Sequence, residues 1–316
     1  MEKLFRFLDH LQQGTLIERI VWERRKRAKQ RRLDWWNSQI GKRESFDTRI
    51  DHGVRIRLHF DSELSRLIYV NDFERDERKF LTAYLKPGDI FVDVGANIGL
   101  FSLIAAKLVG PSGKVYAFEP TGRICERLAF NTMLNGFECL AYFRVALSDH
   151  IGQQSLFVSN DGFDAWNSFA HPVAGQSFEH EQVDCETWDH FAVANNLLGR
   201  ITMMKLDVEG WEVPALYGAR EALARADAPL LQVEFTDAVS ASAGFSCKET
   251  YQLLDDLGYR MFIYDARRRE LIHDPLRKSY PYINLIATKR PEETKLRLQK
   301  GTIRQSLLRK LNYPRL

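Results

Sequence analysis

The segment that most limits what this chain can become runs from Ile90 to Gly99. An apolar run gives way there to a turn of Gly95, Ala96, Asn97 and Gly99, and then to a second apolar stretch, Leu100 to Leu108. Ile90 to Val94 reads as a buried parallel strand, and the stretch after Gly99 as a helix. Glycine in such a turn lets a backbone approach a ligand and reach conformations closed to other residues. Further on, Val115 to Phe118 forms another apolar run that ends on Glu119 and Pro120. An acid at the tip of this second strand is placed to accept hydrogen bonds from a ribose diol, the logic of dinucleotide folds. Strand, glycine turn, helix, strand and acid together predict an adenosyl nucleoside at the carboxyl edge of a parallel sheet.

Glycine spacing separates the candidate nucleosides. A nicotinamide site requires G-x-G-x-x-G, with the pyrophosphate on the helix N-terminus. Here three residues separate Gly95 from Gly99, and the middle glycine of that fingerprint is missing. Asp93, on the strand before the turn, would repel a pyrophosphate and attract the ammonium and sulfonium charges of S-adenosylmethionine. The pattern D-x-G-x-N-x-G followed by F-E-P resembles motif one and the following acidic loop of class I methyltransferases. A second segment, Met203-Met-Lys205-Leu-Asp207-Val-Glu209-Gly210-Trp211-Glu212, is similar to the K-I-D-V-E-G signature of the FkbM family of S-adenosylmethionine-dependent methyltransferases, with Leu206 replacing the isoleucine. Leu85–Ile90, Asn131–Asn135, Ala146–Asp149, Thr187–Asp189 and Val233–Phe235 match further stretches of that family. The resemblance spans roughly residues 70 to 290 and leaves both ends outside it. It implies a Rossmann-like fold, S-adenosylmethionine as cofactor, and O-methylation of a hydroxyl on a sugar, glycan or glycosylated metabolite.

With 316 residues, 45% of them hydrophobic, the chain can bury a full α/β core. Cys125, Cys139, Cys185 and Cys247 are scattered without a C-x-x-C pair. They read as reduced core thiols of a cytoplasmic protein, not as a disulfide frame or zinc site. No apolar run reaches bilayer length and no apolar leader opens the chain, so a soluble, unexported protein is expected.

Three divisions are expected. Residues 1–45 read as a basic helical extension, with apolar stripes at Leu4, Phe5, Leu8 and Leu11 and at Leu16, Ile17, Ile20 and Val21, then the basic run Arg24 to Arg27. Residues 46–290 read as the cofactor-binding domain, and 291–316 as a second basic helical tail. The formal net charge of +3 hides basic ends around a near-neutral core. Two readings of these arms stand: packing on the core or across a homo-oligomer, or contact with anionic lipid or a charged glycan precursor. No nucleic-acid module accompanies them.

Within the domain, alternation over residues 53–70 suggests a short antiparallel hairpin. Strands are expected near 90–94, 115–119, 140–146, 202–207, 230–235, 259–264 and 283–288, with helices at 122–135, 211–224 and 248–257. Seven strands alternating with helices imply a doubly wound, mostly parallel sheet closed by an antiparallel pair joined through a polar turn at 265–274. Residues 150–190 read as an irregular insertion, either a substrate cover or a packed loop.

Methyl transfer from a sulfonium needs alignment above all, and an oxygen acceptor benefits from losing its proton. Asp93, Gly95, Asn97 and Gly99 are assigned to the cofactor's methionyl end, Glu119 to the ribose, and Ser148 and Asp149 to the neighbourhood of the adenine. Lys205, Asp207 and Glu209 alternate along the fourth strand and its exit and share a face by strand periodicity. Asp207 is the first choice for the base, with Lys205 pairing one of the acids, while Glu209 also suits the N-terminus of the next helix. His171 or His180, in the expected cover, would serve as base instead. Trp166, Asn167, Ser168 and Trp211 are candidates for contacts to a sugar ring. Asp207 and Glu234 lie at adjacent strand ends and resemble the carboxylates that hold magnesium in catechol-type O-methyltransferases, with Glu209, Asp237 or water completing such a site. Two other classes stay open: a non-catalytic nucleoside-binding scaffold, and a NAD-dependent oxidoreductase.

Overall fold

The computed structural model describes residues 16–159 and 178–299. They divide into two compact units, one of residues up to Phe46 with Leu58–Phe73, the other of Asp47–Arg57 with the residues from Glu74 onward.

In the first unit α1 (Leu16–Gln39) ends in the pair Trp35-Trp36, and α2 (Glu63–Tyr69) starts at Ser62, whose hydroxyl accepts from Ser65 N at 3.1 Å. Trp35, Trp36, Phe46, Phe60 and Tyr69 form one aromatic cluster, with ring centroids 4.6 Å apart for Trp36–Phe60 and 4.8 Å for Trp35–Phe46. Trp36 is buried and the other four rings are half-buried, so aromatic packing supplies this unit with an apolar centre. Arg24 to Arg27 are exposed. The apolar stripe at Leu4 to Leu11 lies outside the described residues, and so do the side chains of Leu16 to Val21. The expected hairpin is placed differently: β1 (Ser45–Arg49) pairs with β2 (Arg55–His59), and the second half of residues 53–70 is helical. The apolar spacing of Leu64, Ile68 and their neighbours, read as alternation, is a helical stripe behind a serine cap.

The second unit continues with α3 (Arg75–Tyr84), β3 (Ile90–Val94), α4 (Leu100–Val109), β4 (Lys114–Phe118), α5 (Gly122–Asn135), β5 (Leu140–Phe143) and β6 (Ala146–Leu147). The long strands β7 (Gly152–Ser159) and β8 (Phe178–Glu186) come next, then α6 (Trp188–Ala194) and β9 (Met203–Leu206). The chain goes on through α7 (Glu212–Tyr217), α8 (Arg220–Ala224), β10 (Leu230–Phe235), α9 (Asp237–Ser242) and α10 (Cys247–Asp256) to β11 (Arg260–Asp265), β12 (Glu270–His273) and β13 (Ile283–Thr288). Residues 291–299 are helical.

The main sheet has the order β12-β11-β13-β10-β9-β3-β4-β5. β10, β9, β3, β4 and β5 are mutually parallel, and β13 runs antiparallel between β10 and β11. Every residue of β9 and β10 is buried, as parallel strands covered on both faces must be. This is the doubly wound, Rossmann-like arrangement expected. All seven expected strands form, and an eighth is added, because the polar turn at 265–274 itself folds back as β12 on β11. Arg267 N and Arg268 N both donate to Asp265 Oδ1, which closes that turn tightly enough for the strand to pair.

Two further departures shape the site. The expected strand 140–146 is interrupted: β5 stays in the main sheet, whereas β6 pairs with β8 in a separate sheet of order β6-β8-β7. The stretch read as irregular therefore contains a regular antiparallel hairpin in register from Gly152–Cys185 to Ser159–Phe178. Trp166, Asn167, Ser168 and His171, between these two strands in sequence, lie outside the described residues. The expected helix 211–224 is split into α7 and α8 at Gly218, where a Cβ would stand 1.8 Å from Ser148 O. The Asp189 carboxylate then accepts from Glu221 N and Ala222 N, both at 2.8 Å, and restarts the helix as α8. All four cysteines are buried and free. No helix among the described residues is long and apolar enough to cross a membrane.

Candidate functional site

A cavity opens at the carboxyl ends of β3, β4 and β9, the position a doubly wound sheet offers to ligands. Its empty space, open mouth included, is about 700 Å³. One wall is the turn after β3. Gly95 N and Ala96 N donate to Phe118 O at 3.0 and 2.9 Å, holding the turn against β4. Gly95 has φ +81°, and a Cβ there would stand 1.8 Å from Asp207 O. Gly99 has φ +92°, with Leu128 Cδ1 2.5 Å from the place a Cβ would take. From behind, Asn131 fixes the same turn: its Nδ2 donates to Ile98 O at 3.0 Å and its Oδ1 accepts from Arg57 N at 2.7 Å.

Asp93 is buried on β3 and accepts from the Ser102 hydroxyl, while its Oδ1 has no hydrogen-bond partner. Burial raises its pKa against the pull of Lys205 and Ser102. Glu119 is buried in the cavity wall, and its two oxygens accept from Thr121 N and Asn97 N, each at 3.0 Å. Burial lifts its pKa to about 7 despite those donors. The wall beyond is Val145, Ala146 and Leu147, with Leu156 contributed by β7. Ser148 and Asp149 are not among the lining residues. The buried Ser148 hydroxyl accepts from Trp211 Nε1 at 3.1 Å, and exposed Asp149 binds His150 Nδ1 at 2.8 Å. Trp211 itself lines the cavity, edge-on to Phe245.

The opposite wall is the exit of β9. Lys205 is buried, ion-paired to Asp207, 3.9 Å from Glu74 Oε2 and 4.5 Å above the Phe101 ring. Burial alone would depress the Lys205 pKa, yet Asp207, Glu74 and Asp93 together hold it above its usual value. For Asp207 the outcome is the reverse: burial pushes its pKa up, but Lys205 and a hydrogen bond with Glu234 outweigh this and hold the carboxyl below its usual value. Burial, then Asp207, raises Glu209 well above the ordinary carboxylate range, and the same two causes raise Glu234. Asp207, Glu209 and Glu234 each present an oxygen within 4.8 Å of the others. Such a set of hard oxygen donors fits a divalent ion. Asp237 is not part of this group, since its Oδ2 accepts from Tyr280 N at 2.6 Å.

Of the residues singled out from the sequence, Gly95, Asn97, Glu119, Asp207 and Glu209 line the cavity, Lys205 and Glu234 stand against Asp207, and Asp93 and Gly99 are outside the lining. The helix-terminus role considered for Glu209 falls to Glu212, whose Oε1 accepts from Val208 N and Gly210 N. His180 stands apart: it is exposed on β8, its Nδ1 3.1 Å from Ser155 Oγ, and it does not line the cavity. Missed altogether were Glu74, Tyr282 and Asn284. Glu74 Oε1 accepts from Tyr282 Oη at 3.1 Å and Asn284 Nδ2 at 3.2 Å. Glu74 sits in a run of charges whose local sequence resembles any solvated helix start. Also missed was Glu181, whose Oε1 accepts from Gly122 N at 2.9 Å and Arg144 Nη2 at 2.8 Å and fastens the hairpin beside Glu119.

The residues fit an S-adenosyl cofactor: a turn in the cavity wall whose Gly95 admits no Cβ, and an acid, Glu119, at the second strand tip, with the unpartnered Asp93 Oδ1 on the strand before the turn. Residues 93–261, just over half of the chain, match the family described as the methyltransferase FkbM domain. No curated protein sequence matches the chain. Solved structures resemble it distantly. A precorrin-6y C5,15-methyltransferase from Geobacter metallireducens shares 10% identity at a TM-score of 0.37, over 68% of this chain and 86% of its own. An S-adenosylmethionine-dependent O-methyltransferase from Thermotoga maritima shares 14% at 0.37, over 80% of each chain. TYW2 from M. jannaschii, in complex with AdoMet, shares 10% at 0.38, over 77% and 84%.

Proposed function

Because the chain belongs to the FkbM methyltransferase family and is S-adenosylmethionine-dependent, we propose that it transfers the methyl group to a hydroxyl of a sugar, glycan or glycosylated metabolite. The observation that carries the oxygen acceptor is Asp207, a carboxylate in the cavity wall kept ionised by Lys205. The bound cofactor supplies an electrophilic methyl on a sulfonium sulfur. Asp93, Gly95, Asn97 and Gly99 would hold its methionyl end and Glu119 its ribose. Asp207 would take the proton that the acceptor hydroxyl loses on methylation. Trp211 offers an aromatic face beside the acid. The glycan class rests on family resemblance, and the residues support a hydroxyl acceptor without selecting it.

Screening nucleotide sugars and glycans with radiolabelled cofactor finds the acceptor, and Asp207→Asn then tests the base. Loss of a general base should lower kcat by about 100-fold or more while cofactor affinity stays within a few-fold. An unchanged kcat would remove Asp207 from that role.

A second reading places a divalent ion, magnesium first, on Asp207, Glu209 and Glu234, supported by oxygens that all lie within 4.8 Å of one another. Such an ion would supply Lewis acidity to the acceptor oxygen. Chelation should then abolish turnover, and added magnesium restore it; turnover indifferent to chelation favours the proton-acceptor reading alone. Neither a nicotinamide oxidoreductase nor a non-catalytic scaffold gains support from the family match.

A further inference from the structure

A second cavity lies at the other end of the sheet, where β3, β9 and β10 begin. Lys86 stands in the connection from α3 to β3, Thr202 leads into β9, and Leu230 opens β10. Thr288 closes the antiparallel β13, and the helix of residues 291–299 adds the outer wall. The empty space, open mouth included, is about 1000 Å³. The length of the parallel strands separates this cavity from the cofactor cavity, and the two share no lining residue.

Positive charge distinguishes it. Lys86, Arg290 and Arg297 line the space, and among the described residues the one acid in its lining is Glu293, whose side chain is 76% exposed. Backbone carbonyls hold both guanidiniums in place. Arg290 Nη2 donates to Ala228 O at 2.9 Å, and Arg297 Nε donates to Tyr84 O at 2.9 Å. A carbonyl fixes a guanidinium without cancelling its charge. Arg297 also pairs with Asp89, whereas Arg290 comes no nearer to Glu293 than 3.6 Å. The excess is felt next door: burial and then Arg290 lower the Lys289 pKa. Fastening the last helix explains the carbonyl contacts, but not three cations gathered on one open space. Hydroxyls add to the polar wall, since buried Thr288 and Thr294 line it with their Oγ1 atoms 3.1 Å apart.

Fixed positive charge beside an apolar wall draws in anions. We propose that this cavity is a second binding site, for a small soluble metabolite that carries phosphate. Planar guanidiniums and a lysine point charge are the donors that suit phosphate oxygens. The space exceeds what an inorganic ion fills, and buried Ile201 and Leu230 give the organic part an apolar surface. A ligand here lies across the sheet from the cofactor, too far away to be the methyl acceptor.

Calorimetric titration of the full chain with pyrophosphate tests this, with S-adenosylhomocysteine present in excess to occupy the cofactor cavity. Pyrophosphate should bind the wild-type chain. Lys86→Gln should weaken that binding about tenfold, the scale of one partly screened charge pair. Glu293→Gln removes the acid from the lining and should tighten binding about threefold. Damage to the fold cannot produce a gain in affinity, so Glu293→Gln keeps the test open if Lys86→Gln fails to fold. Absence of pyrophosphate binding to the wild-type chain overturns the proposal, and so does binding that neither substitution alters. Vesicles containing phosphatidic acid form the second arm. Capture on them without binding of pyrophosphate assigns these cations to a lipid surface and overturns a soluble ligand.

Discussion

At the scale of single residues, the site is built on conformations only certain side chains tolerate. Gly95 is the sharpest case, because its Cβ position coincides with a backbone carbonyl, Asp207 O, at 1.8 Å. A backbone atom cannot rotate away, so Gly95→Ala must displace the β9 exit and with it Asp207. The Gly99 position meets instead the movable end of Leu128, at 2.5 Å. Gly99→Ala therefore costs chiefly the left-handed backbone penalty, about 1–2 kcal/mol. Gly95→Ala should abolish cofactor binding and lower Tm the more, and Gly99→Ala should retain weakened binding; calorimetry and thermal melts rank the two. The alternation of Lys205, Asp207 and Glu209 shows how far residue-level reasoning carries. Lys205 and Asp207 meet, as strand periodicity requires. Glu209 lies beyond the end of β9 and joins them through its left-handed φ, a turn that periodicity does not describe.

At the scale of elements, the apolar runs of β3, β4, β9 and β10 were legible because parallel strands buried on both faces leave nearly continuous hydrophobic sequence. The β7–β8 hairpin was not, because one face is solvated and its residues are largely polar. What gives it purpose is attachment. Leu156 lines the cavity, and Glu181 receives Gly122 N and Arg144 at the start of α5. Glu181→Gln removes the charge from both contacts and should loosen β8 against α5. Amide hydrogen exchange should then rise about tenfold or more in β7 and β8, for a loss near 1.4 kcal/mol, with β3 and β9 unchanged. Equal protection in variant and wild type would show that strand pairing alone holds the hairpin.

At the scale of the whole molecule, buried acids set the response to pH. Glu119 has a folded-state pKa of about 7, raised by burial from 4.5. Its protonated form is favoured in the folded chain, so its contribution to stability is fullest below pH 4.5, declines as pH rises through 7, and is flat beyond. The shift corresponds to roughly 3 kcal/mol over that window. Donors from a ribose favour the ionised form, so cofactor binding should release a proton near neutrality and strengthen as pH rises towards 7. Melting curves of the cofactor-free chain from pH 5 to 8, repeated with saturating S-adenosylmethionine and with Glu119→Gln, check this. The downward slope should be present without cofactor, shallower with it, and reduced in the variant. A slope unaltered in the variant would place the titrating group elsewhere.

The sequence by itself determined the sheet, the glycine turn, the acid at the second strand tip and the family, because each is a local pattern. Strand burial, a positive φ and a strand-end carboxylate are written in neighbouring residues. Only the tertiary structure decided which acids share Lys205. Glu74 comes from the start of α3 and Asn284 from β13, and each lies far along the chain from the Lys205–Asp207 pair. It also decided that Glu209 and not Asp237 joins Asp207 and Glu234, that the hairpin closes beside Glu119, and that His180 stays outside. The physical reason is common to all four. Electrostatic and hydrogen-bond partnerships depend on distance in space, and the order of β10, β9 and β3 in the sheet brings together charges that the chain keeps far apart.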